Sequence, residues 1–253
     1  MVRVTACTNQ KGGVGKTTTV VNLGAYLALS GIPTLIIDLD PQGNATSGLG
    51  IDRRTLDTSS YDAIVDRLTI TDLAVPTAVD GLDLVPSAPG LSGAEVELVG
   101  IPARERRLAA SLDGLNGRYG RVLIDCPPSL GLLTVNALTA SDGVLIPIQT
   151  EYYALEGLSQ LVNTIRRVRE GLNPRLEIDG VLLTMYDART RLSGQVAAEV
   201  RRHMNGTVFE TVVPRSVRLS EAPSHGLPIA LYDPTSRGAQ AYGNLAIEVA
   251  ARG

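Results

Sequence analysis

Thr8-Asn9-Gln10-Lys11-Gly12-Gly13-Val14-Gly15-Lys16-Thr17-Thr18 is the stretch on which the reading of this chain turns. An apolar run, 2–7, precedes it, and a helical pattern from Thr17 to Leu29 follows. Strand, glycine-rich turn and helix in that order form the context of a phosphate-binding loop. Glycines let the backbone turn its N–H groups inward, and the N-terminus of the following helix adds a positive dipole end. Lys16 is then placed to reach the β- and γ-phosphates of a nucleotide, and the Thr17 hydroxyl to ligate Mg²⁺. The common spacing, G-x-x-x-x-G-K-[ST], puts a glycine six residues before Lys16. Here that position is Gln10, and a second lysine, Lys11, follows it.

Two further strand ends belong with this loop. The segment 32–38 is apolar and ends in Asp38-Leu39-Asp40-Pro41-Gln42-Gly43-Asn44. Carboxylates at the end of a buried strand lie where open α/β sheets place their ligands. In isolation such a pair reads as a solvated turn; after a phosphate-binding loop both strand ends face one crevice. Arg121-Val122-Leu123-Ile124-Asp125 repeats the pattern, and Asp125 is the residue expected to hold Mg²⁺ through water.

The rest of the chain continues the alternation. Strands are expected over 82–86, 143–149, 178–185 and 208–213, and helices over 61–68, 132–140, 154–172, 193–204 and 237–251. A broken helical pattern runs from Gly93 to Leu115 with Arg104, Arg106 and Arg107 on a solvated face. Pro147 within a strand predicts an edge or a bulge. The fold expected is α/β: a mostly parallel twisted sheet with helices on both faces, in a single domain spanning 1–253.

Composition narrows the function. The 253 residues are 44% apolar, enough for a sizeable core. Tryptophan is absent and aromatics make up 4%, which disfavours a single-strand base-stacking surface. The formal net charge of −3 means that any DNA contact rests on a local patch or on one assembled by dimerisation. The two cysteines, Cys7 and Cys126, sit in apolar stretches without a Cys-x-x-Cys partner, which disfavours a disulfide framework, zinc or an iron–sulfur cluster. No signal peptide, long apolar span or helix-turn-helix extension is visible, so a cytoplasmic protein without operator recognition is expected.

The loop Lys11-Gly12-Gly13-Val14-Gly15-Lys16-Thr17 resembles the deviant Walker A motif of the ParA/MinD group of P-loop ATPases. Asp-Pro-Gln-Gly-Asn-Ala-Thr (40–46) and Asp-Cys-Pro-Pro-Ser-Leu-Gly (125–131) resemble its switch segments. Glu-Tyr-Tyr-Ala-Leu-Glu-Gly (151–157), Leu-Leu-Thr-Met-Tyr-Asp-Ala-Arg-Thr (182–190) and Val-Arg-Leu-Ser-Glu-Ala-Pro-Ser-His-Gly (217–226) resemble the Soj/ParA chromosome-partitioning branch. The resemblance implies an ATPase using ATP and Mg²⁺, with residues 11–18, Thr18 included, around the nucleotide. It implies a homodimer formed face to face around two ATP molecules, with Lys11 reaching the partner subunit's nucleotide. It assigns water positioning to Asp40, support of Mg²⁺ and water to Asp38, and the adenine side to Pro214 and Ser216, the latter often Asn in the family.

The same resemblance implies non-specific double-stranded DNA binding by the dimer, release on hydrolysis stimulated by a ParB/Spo0J-type partner, and nucleoid association. Arg189 and Arg218 match the family's DNA-contacting positions. Both are expected in loops without an acidic partner one turn away, where guanidinium forks suit phosphate oxygens. Arg191, Arg201 and Arg202 are weaker additions, and His225 is read as structural. The alternative, a MinD-like membrane ATPase, calls for a basic amphipathic C-terminal helix. The tail here, 244–253, carries one arginine, so no membrane partner is expected. An iron–sulfur reductase of the nitrogenase-iron-protein type is disfavoured by the placement of Cys7.

Overall fold

The computed structural model describes residues 2–115, 117–151, 154–204 and 206–252. Eight strands form one sheet: β1 (Arg3–Cys7), β2 (Thr34–Asp38), β3 (Val75–Pro76), β4 (Leu82–Val85), β5 (Arg121–Asp125), β6 (Gly143–Gln149), β7 (Glu177–Tyr186) and β8 (Val208–Pro214). Their order is β3-β4-β2-β5-β1-β6-β7-β8. All pairs are parallel except β3 with β4. The expected fold class is therefore the observed one. The short strand β3 had no signal in the sequence, because Val75-Pro76 makes only a two-residue antiparallel contact.

Strands buried on both faces read as continuous apolar runs. In β2, Leu35 and Ile37 point into one core and Ile36 into the other. Helix α1 (Lys16–Leu29) and the last helix, Arg237–Ala251, cover one face, where Leu23, Leu27, Tyr242 and Leu245 are buried. The opposite face is covered by helices including Leu132–Ala140 and Ala154–Gly171, through Leu133, Leu138, Leu161 and Ile165. Arg166, Arg167 and Arg169 lie on the exposed side of the second, as their spacing predicts.

Three local expectations are refined or corrected. Of the two positions that Pro147 implied, the edge is not found, because β6 lies between β1 and β7; the β6–β7 register does shift between Val144 and Leu145, an irregularity in the same strand. The β1 pairing stops at Cys7 opposite Leu145, below Pro147, so no β1 carbonyl waits for the missing N–H. The Pro147 carbonyl instead accepts 2.7 Å from Asn9 Nδ2. The pattern from Gly93 to Leu115 breaks into short turns, Leu91–Glu97, Leu98–Gly100, Arg104–Arg106 and Arg107–Ser111. Within it Arg107 is buried, not solvated; it donates to the carbonyls of Ile64 and Val65 and closes the end of the Ser60–Ile64 helix. Finally Ser47 and Gly48, expected in a loop, belong to a short helix, α2 (Asn44–Gly48).

Candidate nucleotide site

The parallel strands all deliver their C-terminal ends to one edge of the sheet. In register, Cys7 of β1 faces Asp125 of β5, and Asp125 faces Asp38 of β2. The loop between β1 and α1 lies over these ends. Gly15 precedes α1 at φ +88°, a left-handed conformation that a side chain disfavours. The loop is tied from both sides: Thr184 Oγ1 donates 2.8 Å to the Val14 carbonyl, and Asn9 Oδ1 accepts 3.0 Å from Lys11 N–H. Lys16 is buried, and its Nζ donates 3.4 Å to the Lys11 carbonyl.

A cleft of about 440 Å³ is lined by Gly12, Gly13, Gly15, Lys16, Thr17, Thr18 and Asp40, among others. A second hollow of about 260 Å³ shares Gly15 and Thr18 and is walled by Pro214, Arg215 and Ser216. The phosphate-loop residues and the pair expected on the adenine side thus line adjoining spaces. Met185 lines both and stands at φ +50°, a strained conformation for a residue with a side chain. Lys11 does not line the cleft. It is exposed, with Nζ 3.0 Å from Glu151 Oε2.

The three carboxylates are held differently. Asp38 is fully buried; it accepts from Thr46 N–H at 2.8 Å, Thr46 Oγ1 at 2.6 Å and Asp40 N–H at 3.2 Å. Burial pushes its carboxyl up to about 6, the Thr46 and Asp40 hydrogen bonds pulling the other way. Asp40 Oδ1 accepts 2.9 Å from Gln42 N–H, and its carbonyl accepts 2.8 Å from Ser87 Oγ. Asp125 is fully buried and neither of its oxygens has a hydrogen-bond partner. Burial, and then the neighbouring charge of Asp38, push it well above the carboxylate range. Among the described residues the only other buried side-chain oxygen without a partner is Thr8 Oγ1, at the head of the same loop.

Buried polar groups are ordinarily satisfied, so orphaned oxygens gathered beside a phosphate-shaped loop mark a place for an electropositive ligand. Among the described residues no three carboxylate, imidazole or thiol side chains converge as a cage. One or two carboxylates with a Thr hydroxyl, completed by water and phosphate oxygens, is a donor set that suits Mg²⁺. The residues present fit Mg²⁺ and a nucleoside triphosphate.

Residues 2–178 match the family described as an AAA domain. The chain is 58% identical over 253 residues to the sporulation initiation inhibitor protein Soj of Bacillus subtilis, covering 100% of both chains. It is 54% identical to the chromosome partitioning protein ParA of Caulobacter vibrioides, over 99% of this chain and 95% of the relative. The chain belongs to the ParA/Soj family of chromosome-partitioning ATPases. Among solved structures, cobyrinic acid a,c-diamide synthase of Mycobacterium smegmatis with bound ADP and magnesium superimposes with a TM-score of 0.86 at 38% identity, covering 98% of this chain and 93% of that one. The septum site-determining protein MinD of Pyrococcus horikoshii, complexed with Mg-ADP, gives 0.82 at 26% identity, over 98% and 96%.

In this ParA/Soj-family chain the two arginines singled out in the sequence stand otherwise than expected. Arg189 is exposed in the turn after β7, but its fork is engaged by Asp187, at 2.9 and 2.8 Å. Arg218 lies in a short helix, Val217–Glu221, and pairs with Glu221 at 2.9 Å and Asp233 at 3.3 Å. Asp187 gave no helical-spacing signal because it lies two residues away in a turn; Glu221 lies one turn along a segment whose sequence reads as a loop or a broken helix, and it is the broken helix that forms; Asp233 is distant in sequence. β7 and β8 are neighbours with Tyr186 opposite Pro214, so both arginines rise from the same end of adjacent strands. Arg215, not singled out in the sequence, joins them: it is exposed, its N–H donates 3.2 Å to the Tyr186 carbonyl, and its charge helps hold Asp187 down to about 2, after the Arg189 hydrogen bonds.

Of the weaker candidates, Arg202 pairs with Glu199 at 2.5 Å. His225 stacks on Tyr232 with ring centroids 4.8 Å apart, a packing role. Burial pushes both cysteine thiols up, so they are inert. Thr46 and Thr184 were within reach of the sequence reading, because both lie in quoted motif segments; Ser87 and Arg53 carry no such signal. Tyr152 and Tyr153 of the 151–157 motif lie outside the described residues.

Proposed function

We propose that this chain is an ATP-operated partitioning switch: two copies close face to face around two ATP molecules, the dimer binds double-stranded DNA without sequence preference, and partner-stimulated hydrolysis releases it. The observation that carries the reading is the unsatisfied Asp125 carboxylate in register with Asp38 beneath the glycine loop. The backbone N–H groups of residues 12–17 hold the phosphates. Lys16 would reach the β- and γ-phosphates, the Thr17 hydroxyl would ligate Mg²⁺, and Asp125, with Asp38 nearby, would hold the metal through water. Bound Mg²⁺ supplies charge neutralisation for phosphoryl transfer. Asp40, fixed by Gln42 N–H and Ser87, orients a water for in-line attack on the γ-phosphorus. Pro214 and Ser216 border the base.

Lys11 supports the dimer. An exposed lysine outside its own cleft is available to a facing subunit. Exposed ion pairs are weak, so neither its contact with Glu151 nor those of Arg189 and Arg218 stands in the way of a phosphate. A monomer offering two such arginines binds DNA poorly. A dimer doubles the phosphates met, and affinity follows that count as a power of salt concentration, with a slope of about −4 for four contacts. Nucleoid association in the cytoplasm and a ParB/Spo0J-type partner follow from the same reading.

A membrane-associated role is the second reading. Among the described residues no helix is long and apolar enough to cross a membrane. The helix Arg237–Ala251 uses Ala239, Ala241, Tyr242, Leu245 and Ala246 in the core, leaving Ile247 as its exposed large apolar residue, too little for a membrane-binding face. The deciding experiment is co-sedimentation with DNA in ATP and in ADP, at low and moderate salt, beside liposomes. DNA binding only with ATP, weakening with salt, is the expected result. Liposome binding without DNA binding would transfer the protein to the membrane reading, and binding to neither would remove the partitioning role.

A further inference from the structure

We propose that Arg53 is a positioning residue for hydrolysis, holding the turn that aims Asp40; the inference rests on the reading of Asp40 given above. Arg53 lies in the segment after α2 that no motif covers. Its guanidinium donates to three backbone carbonyls: Nη2 to Pro41 at 2.6 Å, Nη1 to Gln42 at 2.5 Å and Nε to Ser87 at 3.1 Å. Among the described residues it has no carboxylate partner within salt-bridge distance, whereas the adjacent Arg54 turns outward to Asp52. A planar fork with several donors reaches three carbonyls at once, which an ammonium does not, and bonds from a charged donor are the stronger kind.

The carbonyls it holds belong to the Asp40 turn and its neighbour. Gln42, whose carbonyl is held, donates its N–H to Asp40 Oδ1. Ser87, whose carbonyl is held, donates its Oγ to the Asp40 carbonyl. The guanidinium also lies against Gly43, at φ +62°, where an added Cβ would stand 2.2 Å from Nε. Glycine there lets the arginine close onto the turn. The Asp40 carboxylate is thus oriented by the Gln42 N–H and its backbone carbonyl by the Ser87 hydroxyl, while Arg53 holds the Pro41–Gln42 peptide unit that carries that N–H and the carbonyl of Ser87.

A residue acting this way changes the rate with little effect on nucleotide affinity. Full-length Arg53→Ala, Arg53→Lys and Asp40→Ala, with the double variant Asp40→Ala/Arg53→Ala, are compared in single-turnover ATP hydrolysis, ADP titration and thermal melting. Arg53→Ala is expected to lower kcat about tenfold, a typical loss for a group that supports a reacting residue. KM and ADP affinity stay unchanged, Arg53→Lys recovers part of the rate, and the double variant is no slower than Asp40→Ala alone. Wild-type turnover in Arg53→Ala with Asp40→Ala inactive overturns the role of Arg53 only. Loss of ADP affinity or melting temperature in step with kcat overturns it in favour of a structural role. Normal turnover in Asp40→Ala overturns the reading on which the proposal rests.

Discussion

Asp125→Asn is predicted to stabilise the nucleotide-free protein while abolishing its response to Mg²⁺. Asp38 and Asp125 are both buried and both displaced upward, Asp38 from 3.8 to about 6. The folded chain therefore keeps protons that the unfolded chain has released, so stability is full below about pH 4 and falls as pH rises through the folded values. At about 1.4 kcal/mol per unit, the displacement of Asp38 alone corresponds to ~3 kcal/mol at neutral pH. For Asp125, burial and the Asp38 charge outweigh the opposing pull of the Thr17 hydroxyl and Lys16. An amide keeps its volume and has no proton to lose, so the variant is freed of the pH-dependent cost that Asp125 carries. Urea unfolding in EDTA between pH 4 and 8 is the assay. The variant should be the more stable at pH 8, with the gain vanishing towards pH 4. Mg²⁺ with ADP should then raise the stability of the wild type and leave the variant unmoved. A variant less stable at every pH would refute the buried-charge reasoning, and one still stabilised by Mg²⁺ with ADP would refute the metal role.

Lys16→Ala should lose ATP and ADP binding in a fluorescence titration, since the only buried lysine amine of the cleft goes with it; retained affinity would remove the loop assignment. Arg189→Ala with Arg218→Ala should leave the melting temperature and the ATP-dependent dimer intact in sedimentation, because both pairs lie at the surface, and should abolish DNA co-sedimentation. Unchanged DNA affinity would move the patch to other residues. Gly226→Ala should cost ~2 kcal/mol or more in urea unfolding, since it sits at φ +66° and its Cβ would fall 2.6 Å from the Gly50 Cα. That contact joins the end of α2 to the segment carrying Arg218, so the variant should also weaken ATP-dependent DNA binding.

Much of the site was legible because its parts are local. A glycine loop between a strand and a helix has its chemistry within eleven consecutive residues, Thr8 to Thr18, and strands ending in Asp38 and Asp125 announce themselves by a carboxylate closing an apolar run. The elements around it were equally plain: the strands 121–125 and 143–149 and the helices 132–140 and 237–251 fall where the pattern put them. Residues whose partners are remote gave no signal. Arg107 looks like one of a charged cluster until the Ser60–Ile64 helix offers it two carbonyls. Arg53 looks like a surface arginine until the Asp40 turn folds beneath it.

The sequence by itself determined the class of fold and the family of chemistry, because period, glycine spacing and strand-end carboxylates are properties of short segments. Only the tertiary structure decided that Asp38 and Asp125 share a register, that Asp125 is left without a partner, and that Arg189 and Arg218 are already engaged. Those facts depend on which strands lie side by side and which loops meet above them. Burial and pairing, which set the charge state of a carboxylate and the freedom of an arginine, follow from that arrangement and not from neighbours along the chain.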